Sequence, residues 1–244
     1  MPEFKMKIAG HTTSVTALFD STPLYFKAYL TEDAPAFSIT VTREDLACEQ
    51  QDLLEEALRE GFKPRTFTDP FLERQAIGRQ FAEFLLEHGT LWLHGSAIAL
   101  DGFGYLFTAR SGTGKSTHTR LWRQVFGERA VIVNDDKPFV TLTEDGALLH
   151  GSPWSGKHGL DTNITVPLRG ICLMERGSEN RVTPASAEAV LPLLRKQAYE
   201  PLTPENAAVS QALLQRLSQN VPLWHMACNK DPEAARIAAT AMHQ

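Results

Sequence analysis

Over the first 68 residues the hydrophobic positions fall in short alternating runs rich in β-branched side chains, the period of half-buried strands. Lys5–Ala9, Ser14–Phe19, Tyr25–Leu30 and Phe37–Thr42 are the predicted strands, with charged or Gly/Pro-containing segments between them. The period then lengthens. Leu46, Leu53, Leu54, Ala57 and Leu58 recur at helical spacing within Arg43–Arg59, and Gly61 can terminate that helix. Asp69-Pro70 opens a second helix, with the acid as N-cap and proline at the first helical position. It should run to about Glu87, turn Phe71, Ile77, Phe81, Phe84 and Leu85 inward, and stop near Gly89.

From Leu91 the pattern changes again. Leu91–Leu100 is an apolar run broken by His94, Gly95 and Ser96. Asp101-Gly102 is a turn signal, and Phe103–Thr108 completes a predicted hairpin whose second arm leads into a Gly-rich loop. A helix over Lys115–Phe126 should end at Gly127, and Ala130–Val133 should be a buried strand ending in Asn134-Asp135-Asp136. Phe139–Thr143, Ala147–His150 and Gly170–Glu175 are further predicted strands. The C-terminal stretch reads as mostly helical, with starts at Ser186-Ala187, Thr203-Pro204-Glu205 and Asp231-Pro232-Glu233. The expected fold is therefore α/β. A small N-terminal β-rich region covers 1–68, and a domain over 69–244 has a central mixed sheet and a helical C-terminal segment.

Composition narrows the function classes. The chain has 244 residues, 43% of them hydrophobic, and a net charge of -5, which gives no broad attraction to nucleic acid or to an anionic membrane. No apolar run reaches the length of a spanning helix, and Met1-Pro2-Glu3-Phe4 does not begin a secretory leader, so the expected compartment is the cytoplasm. Cys48, Cys172 and Cys228 are odd in number and far apart, and are expected to be reduced thiols. A homo-oligomer stays open.

The segment Ala109-Arg110-Ser111-Gly112-Thr113-Gly114-Lys115-Ser116-Thr117 has the spacing of a phosphate-binding P-loop, with alanine in place of the first glycine. Such loops converge backbone N–H groups and a helix N-terminus on phosphate oxygens. Lys115 would reach the terminal phosphates and the Ser116 hydroxyl would sit on magnesium. Asp135 and Asp136, adjacent at the end of a buried strand, are costly unless a cation or a shared proton compensates. One could hold Mg2+ beside the phosphates, and the other could take a proton from an attacking hydroxyl. The pattern does not say which. His94, in the run beside the strand entering the loop, is a third candidate. Downstream, Gly151–Gly159 carries Trp154, Lys157 and His158. Lys157 and Arg169 could stabilise a transferring phosphoryl group, with Asn163 and Asn229 as weaker candidates.

In order, His94-Gly95-Ser96-Ala97, Ser111–Thr117 and Asp135-Asp136 resemble the motif set of the ATP-dependent phosphoenolpyruvate carboxykinases and of the HPr kinase/phosphorylases that share their nucleotide-binding fold. The small HPr-kinase-like proteins of bacteria are similar over nearly the whole chain, including Asn134-Asp135-Asp136-Lys137-Pro138, Ser152-Pro153-Trp154 and Cys228-Asn229. The resemblance implies that Lys115 binds the β- and γ-phosphates of ATP and that Ser116 binds Mg2+. It makes His94 a metal ligand or phosphate contact, Asp136 a further candidate metal ligand, and Asp135 or Asp136 the general base. The leading expectation is an ATP- and Mg2+-dependent kinase acting on a hydroxyl, a serine of a protein or peptide. A small metabolite or free amino acid as acceptor is the alternative. A nucleotide-gated binding protein with weak ATP hydrolysis is a reading from another class.

Overall fold

Alternating residues at the N-terminus form a hairpin. β1 (Glu3–Ile8) and β2 (His11–Thr16) pair antiparallel across Ala9 and Gly10, both at positive φ, and β3 (Phe37–Thr40) joins β2 in parallel. β2 thus begins three residues before the expected Ser14. Tyr25–Leu30, expected as a strand, is helical turn as far as Tyr29, and Leu30 alone is extended, bridged to Met6. The helical part is the end of a single turn, α1 (Thr22–Tyr25), and a 3₁₀ turn over Lys27–Tyr29. Pro23 presets the helical φ, and Phe26 and Tyr29, three residues apart, are both buried. A strand would have sent those two rings to opposite faces. The helices α2 (Arg43–Arg59) and α3 (Asp69–Glu87) match their predicted bounds. Within this part the buried Glu73 carboxylate accepts from the Leu18 N–H and the Thr22 hydroxyl, and Arg79 of α3 pairs with buried Glu49 of α2.

The structure is a computed structural model describing residues 1–59, 61 and 63–243, and it divides into two units, Met1–Phe84 and Leu85–Gln244. The second unit holds the candidate chemistry. Its elements are β4 (Thr90–Trp92), β5 (Ser96–Leu100), β6 (Phe103–Thr108), α4 (Lys115–Phe126), β7 (Ala130–Asn134), β8 (Phe139–Leu142), β9 (Ala147–His150), β10 (Thr165–Arg176), β11 (Arg181–Pro184), α5 (Ala187–Gln197), α6 (Pro204–Asn220), β12 (Leu223–Cys228) and α7 (Glu233–Met242). The strands form one curled mixed sheet in the order β4-β8-β9-β10-β6-β5-β7, and β12 and β11 follow the far half of β10. β10 makes this branching. Thr165, Val166 and Pro167 pair antiparallel with β9, whereas Ile171 onward pairs in parallel with β12.

One expectation is corrected here. The run Leu91–Leu100 is two strands rather than one hairpin arm, β4 pairing with β8 and β5 with both β6 and β7. The break falls at Gly95, where a Cβ would lie 2.6 Å from Leu106 Cδ1 and 3.0 Å from the Phe107 carbonyl oxygen. The C-terminal stretch is mostly helical as expected, through α5, α6 and α7, with β11 and β12 added to the sheet. Leu223–Cys228 lacks a polar/apolar alternation because both faces of the strand are packed, Leu223 in one core layer and Trp224, Met226 and Cys228 against the other.

The sheet is covered on both faces. Tyr105, Phe107, Ile98 and Cys172 pack with Trp122 of α4 and Ala235 and Ala238 of α7. The intervening Leu106, Ala97, Ala99 and Ile171 pack with Val190 and Leu194 of α5 and Leu214 and Leu217 of α6. Each such buried Leu, Ile or Phe contributes roughly 1.5–3 kcal/mol, so both layers hold the sheet. β5 runs antiparallel to β6 and β7, and β10 and β12 run parallel to β6. The carboxyl ends of β7, β6, β10 and β12 therefore share one edge. No helix among the described residues is long and apolar enough to cross a membrane.

His118 of α4 is buried between Phe107 and Trp122 and accepts a hydrogen bond at Nε2 from the Trp122 indole N–H at 3.0 Å. Its Nδ1 has no partner among the described residues. Burial pushes its pKa down to about 4, from 6.5. The neutral form is favoured in the folded state, so between these values the unfolded chain binds more protons. Stability should hold above pH 6.5 and fall as pH drops from 6.5 toward 4, by on the order of 3 kcal/mol in total. Urea midpoints measured across that range should slope accordingly, and His118→Asn should flatten the slope. An equal slope in that variant would move the effect to other groups.

Candidate functional site

The shared carboxyl edge gathers the sequence motifs. β6 ends at Thr108 and leads through Ala109 into the Gly-rich loop, and α4 begins at Lys115. Gly112 has φ +75 and Gly114 φ +123, and a Cβ on either would meet no atom within 4 Å. Within the protein itself, torsion rather than crowding demands glycine there. Gly114 is the N-cap of α4, and no side chain caps that end. The loop is held from within and from without. Buried Lys115 folds back so that Nζ donates to the Ala109 carbonyl at 3.2 Å, and the Thr113 N–H donates to the Arg110 carbonyl at 3.2 Å. From the end of β10, Arg176 donates to the carbonyls of Gly112 at 2.5 Å and Thr113 at 3.4 Å. Ser111 is exposed, while Ser116 and Thr117 in the first turn of α4 are half-buried.

β7 delivers the two acids to the same edge, into different surroundings. Asp135 is buried against α4. Its Oδ1 accepts from Ser96 Oγ at 2.7 Å, Ser96 Oγ lies 2.8 Å from Thr119 Oγ1, and Arg120 Nη2 stands 3.8 Å from Oδ2. Asp136 is half-buried, with His94 Nε2 at 3.4 Å from Oδ1. Burial alone would raise the Asp136 pKa. The hydrogen bond from His94 and the charges of Lys137, His94 and Lys115 outweigh it and hold the carboxyl below its ordinary value. His94 itself lies between β4 and β5, fixed by its N–H to the Gln197 carbonyl at 2.7 Å and by Thr108 Oγ1 on its own carbonyl at 3.3 Å. That last contact joins it to the strand that enters the loop.

Asn134, at the end of β7, ties the downstream segment to the acids. Its buried side chain donates to the Ser152 carbonyl at 2.7 Å and accepts from the N–H groups of Asp136 and Lys137 at 2.8 and 2.6 Å. The chain then passes to a 3₁₀ turn over Gly156–His158, and a Cβ on Gly156 would sit 3.1 Å from Asp136 Cβ. Lys157 and His158 are thus next in the chain to the residue lying on Asp136, and both are exposed. The other candidates lie apart. Trp154 is a core residue against Trp92 and Phe139. Arg169 stacks on Phe103, the first residue of β6, at the opposite end of that strand from the loop. Asn163 is exposed in the connection before β10. Asn229 builds the turn before α7, donating to the Ser178 carbonyl and accepting from the Asp231 N–H.

Sequence reasoning assigned no role to Ser96, Thr119, Arg120, Asn134 or Arg176. Ser96 and Asn134 stood inside motifs already noticed. Thr119 and Arg120 follow the loop by one helical turn, a signal that could have found them. Arg176 is readable only once β10 is known to lie beside β6. Among the described residues no three His, Cys, Asp or Glu side chains form a metal cluster. A cavity of about 350 Å3, lined by Arg123, Ala130, Ile132, Leu160 and Asp161 among others, lies along β7 and does not include the Gly-rich loop.

Gly151 governs where the downstream segment can lie. A Cβ there would come within 1.9 Å of the Thr162 carbonyl oxygen and 3.0 Å of that of Val133, both backbone atoms that cannot swing aside. Gly151→Ala should cost about 1–3 kcal/mol or more, a loss of roughly 2–4 °C in Tm for each kcal/mol. A calorimetric scan that finds the variant melting with the wild type would show that the segment yields freely.

By sequence, no family model and no curated protein matches the chain. Among solved structures, the Hpr(Ser) kinase/phosphatase from Coxiella burnetii is similar over 63% of this chain and 99% of that one, at 10% identity and a TM-score of 0.37. So low a score carries no weight for function, and the reading rests on the chain's own residues.

Proposed function

We propose that the chain is an ATP- and Mg2+-dependent phosphotransferase that moves the γ-phosphate to a hydroxyl, with a serine of a protein or peptide as acceptor. One observation carries the reading. An α4 N-terminus with no side-chain cap, preceded by two positive-φ glycines and followed at once by a buried lysine, sits on the same sheet edge as two adjacent carboxylates. First-turn N–H groups without a side-chain cap favour an anion, and Lys115 adds the positive charge that terminal phosphates need.

The donor set fits magnesium. Ser116 and the acid pair offer the hard oxygen ligands that magnesium takes alongside waters and substrate phosphates. Asp135, buried against the first turns of α4, is read as the carboxylate on the metal side with Ser116. When bound, the ion would neutralise charge on the phosphates. Asp136, half-exposed and beside the Gly156–His158 turn, is read as the base. In the transfer, the acceptor oxygen bonds to the γ-phosphorus, its proton passes to an Asp136 oxygen, and the bond to the β–γ bridging oxygen breaks to leave ADP. His94 orients Asp136 through Nε2, which replaces the metal contact that the resemblance implied. Lys157, exposed beside that turn, remains available to the transferring group or to the acceptor.

Lys115→Ala should abolish transfer and weaken Mg-ATP binding by about tenfold or more, because a charge-assisted contact is lost. Titration calorimetry that detects no Mg-ATP binding to the folded wild type would end this reading. Radiolabel from ATP, followed into a cell extract and split by size, should enter the macromolecular fraction. Label confined to small molecules would refute the protein or peptide acceptor while keeping the chemistry.

The two acids should separate kinetically. Asp136→Asn should lower turnover by roughly 10²–10⁴-fold with little change in magnesium dependence. Asp135→Asn should instead raise the magnesium concentration needed for half-maximal rate. Identical behaviour in both variants would reject the division of labour.

A further inference from the structure

We infer that Arg176, the last residue of β10, is a positioning residue that sets the amide directions of the Gly-rich loop for phosphate binding, an inference that rests on the phosphotransferase reading of that loop. The guanidinium is exposed, yet both of its bonds go to main-chain oxygens of one short segment, Nη2 to Gly112 at 2.5 Å and Nε to Thr113 at 3.4 Å. In a trans peptide the C=O and the following N–H point in opposite directions. Holding the Thr113 carbonyl toward Arg176 therefore turns the Gly114 N–H away from it, and holding the Gly112 carbonyl does the same for the Thr113 N–H. The second of these is fixed at its other end too, by its bond to the Arg110 carbonyl at 3.2 Å. The Gly114 N–H is left facing away from Arg176, immediately before the α4 N-terminus.

Such a clamp has a physical purpose. Gly112 and Gly114 have no side chains to restrict them, and peptide planes flanked by glycine can flip between orientations at small cost. A flipped plane would present a carbonyl oxygen to a phosphate instead of an N–H, exchanging attraction for repulsion. Binding would then have to select the minor population with the correct planes, and affinity would fall by the fraction correctly set. Arg176 suits this task because its planar fork can hold two carbonyls at once. It also stands on β10, which pairs with β6 from Leu168 to Leu173, so the strand feeding the loop and the residue clamping it belong to one ladder.

The test compares wild type, Arg176→Ala and Arg176→Lys in calorimetric titrations with Mg-ATP and with Mg-ADP, each protein's melting temperature being measured without nucleotide. The clamp predicts that Arg176→Ala weakens ATP and ADP by the same factor, about tenfold or more, with the unliganded Tm unchanged. Arg176→Lys, able to hold one carbonyl, should fall between. Wild-type affinity for both nucleotides in Arg176→Ala would overturn the inference alone. So would a loss confined to ATP, which marks a direct γ-phosphate contact, or a loss matched by early melting, which marks a merely structural role. If Arg176→Ala does not fold, Arg176→Lys decides by the same comparison of ATP with ADP. A wild type that binds neither nucleotide would overturn the phosphotransferase reading and this inference with it.

Discussion

Most of the second unit depends on one strand that pairs differently along its length. β10 enters the sheet antiparallel to β9, becomes the parallel neighbour of β6, and leaves paired with β12. The first pairing fixes the segment that follows Gly151, because that segment must return from β9 to reach β10. The second sets β6 so that its carboxyl end opens into the Gly-rich loop. The third brings α7, which follows β12, onto the face where α4 lies. Residues from the ends of β6, β7 and β10 therefore meet at one edge, although nearly seventy positions separate Thr108 from Arg176.

Two acids that are neighbours in the chain illustrate how backbone geometry divides chemistry. Alternation at the end of a strand sends successive side chains to different sides. Asp135 thereby meets the hydroxyls of Ser96 and Thr119 and the guanidinium of Arg120, while Asp136 meets His94 and the underside of a glycine turn. Asn134 makes this division rigid by holding both the main chain after the acids and the Ser152 carbonyl. A charge pair that would repel in one shared environment is instead carried by two sets of partners.

Local signals in the sequence were strong where one residue type decides a torsion. Asp69-Pro70, Asp101-Gly102 and the glycines around Lys115 marked element ends that the structure reproduces. They failed where packing overrode pattern. Tyr25–Leu30 looks like a strand by composition, yet Phe26 and Tyr29 bury together only on a helical turn. Leu223–Cys228 looks like neither helix nor strand, because both of its faces pack against core layers and neither is left polar. The same limit applies to the candidate site. The loop and the acid pair are contiguous and could be read. Ser96 with Thr119, or Arg176 with Gly112, are pairings across the sheet edge that follow only from topology.

β7 lies at the end of the sheet order, where a strand would normally offer a row of unpaired main-chain groups. Here the chain covers its own flank. The Asp135 N–H reaches the Leu160 carbonyl, the Thr162 N–H reaches the Val133 carbonyl, Thr162 Oγ1 donates to the Ile132 carbonyl, and Asn134 bridges to Asp161. A second copy cannot prolong the sheet at this end without first peeling away residues 160–162. The segment that frames the acids thus also closes residues 132–135 of this edge to pairing with a further strand.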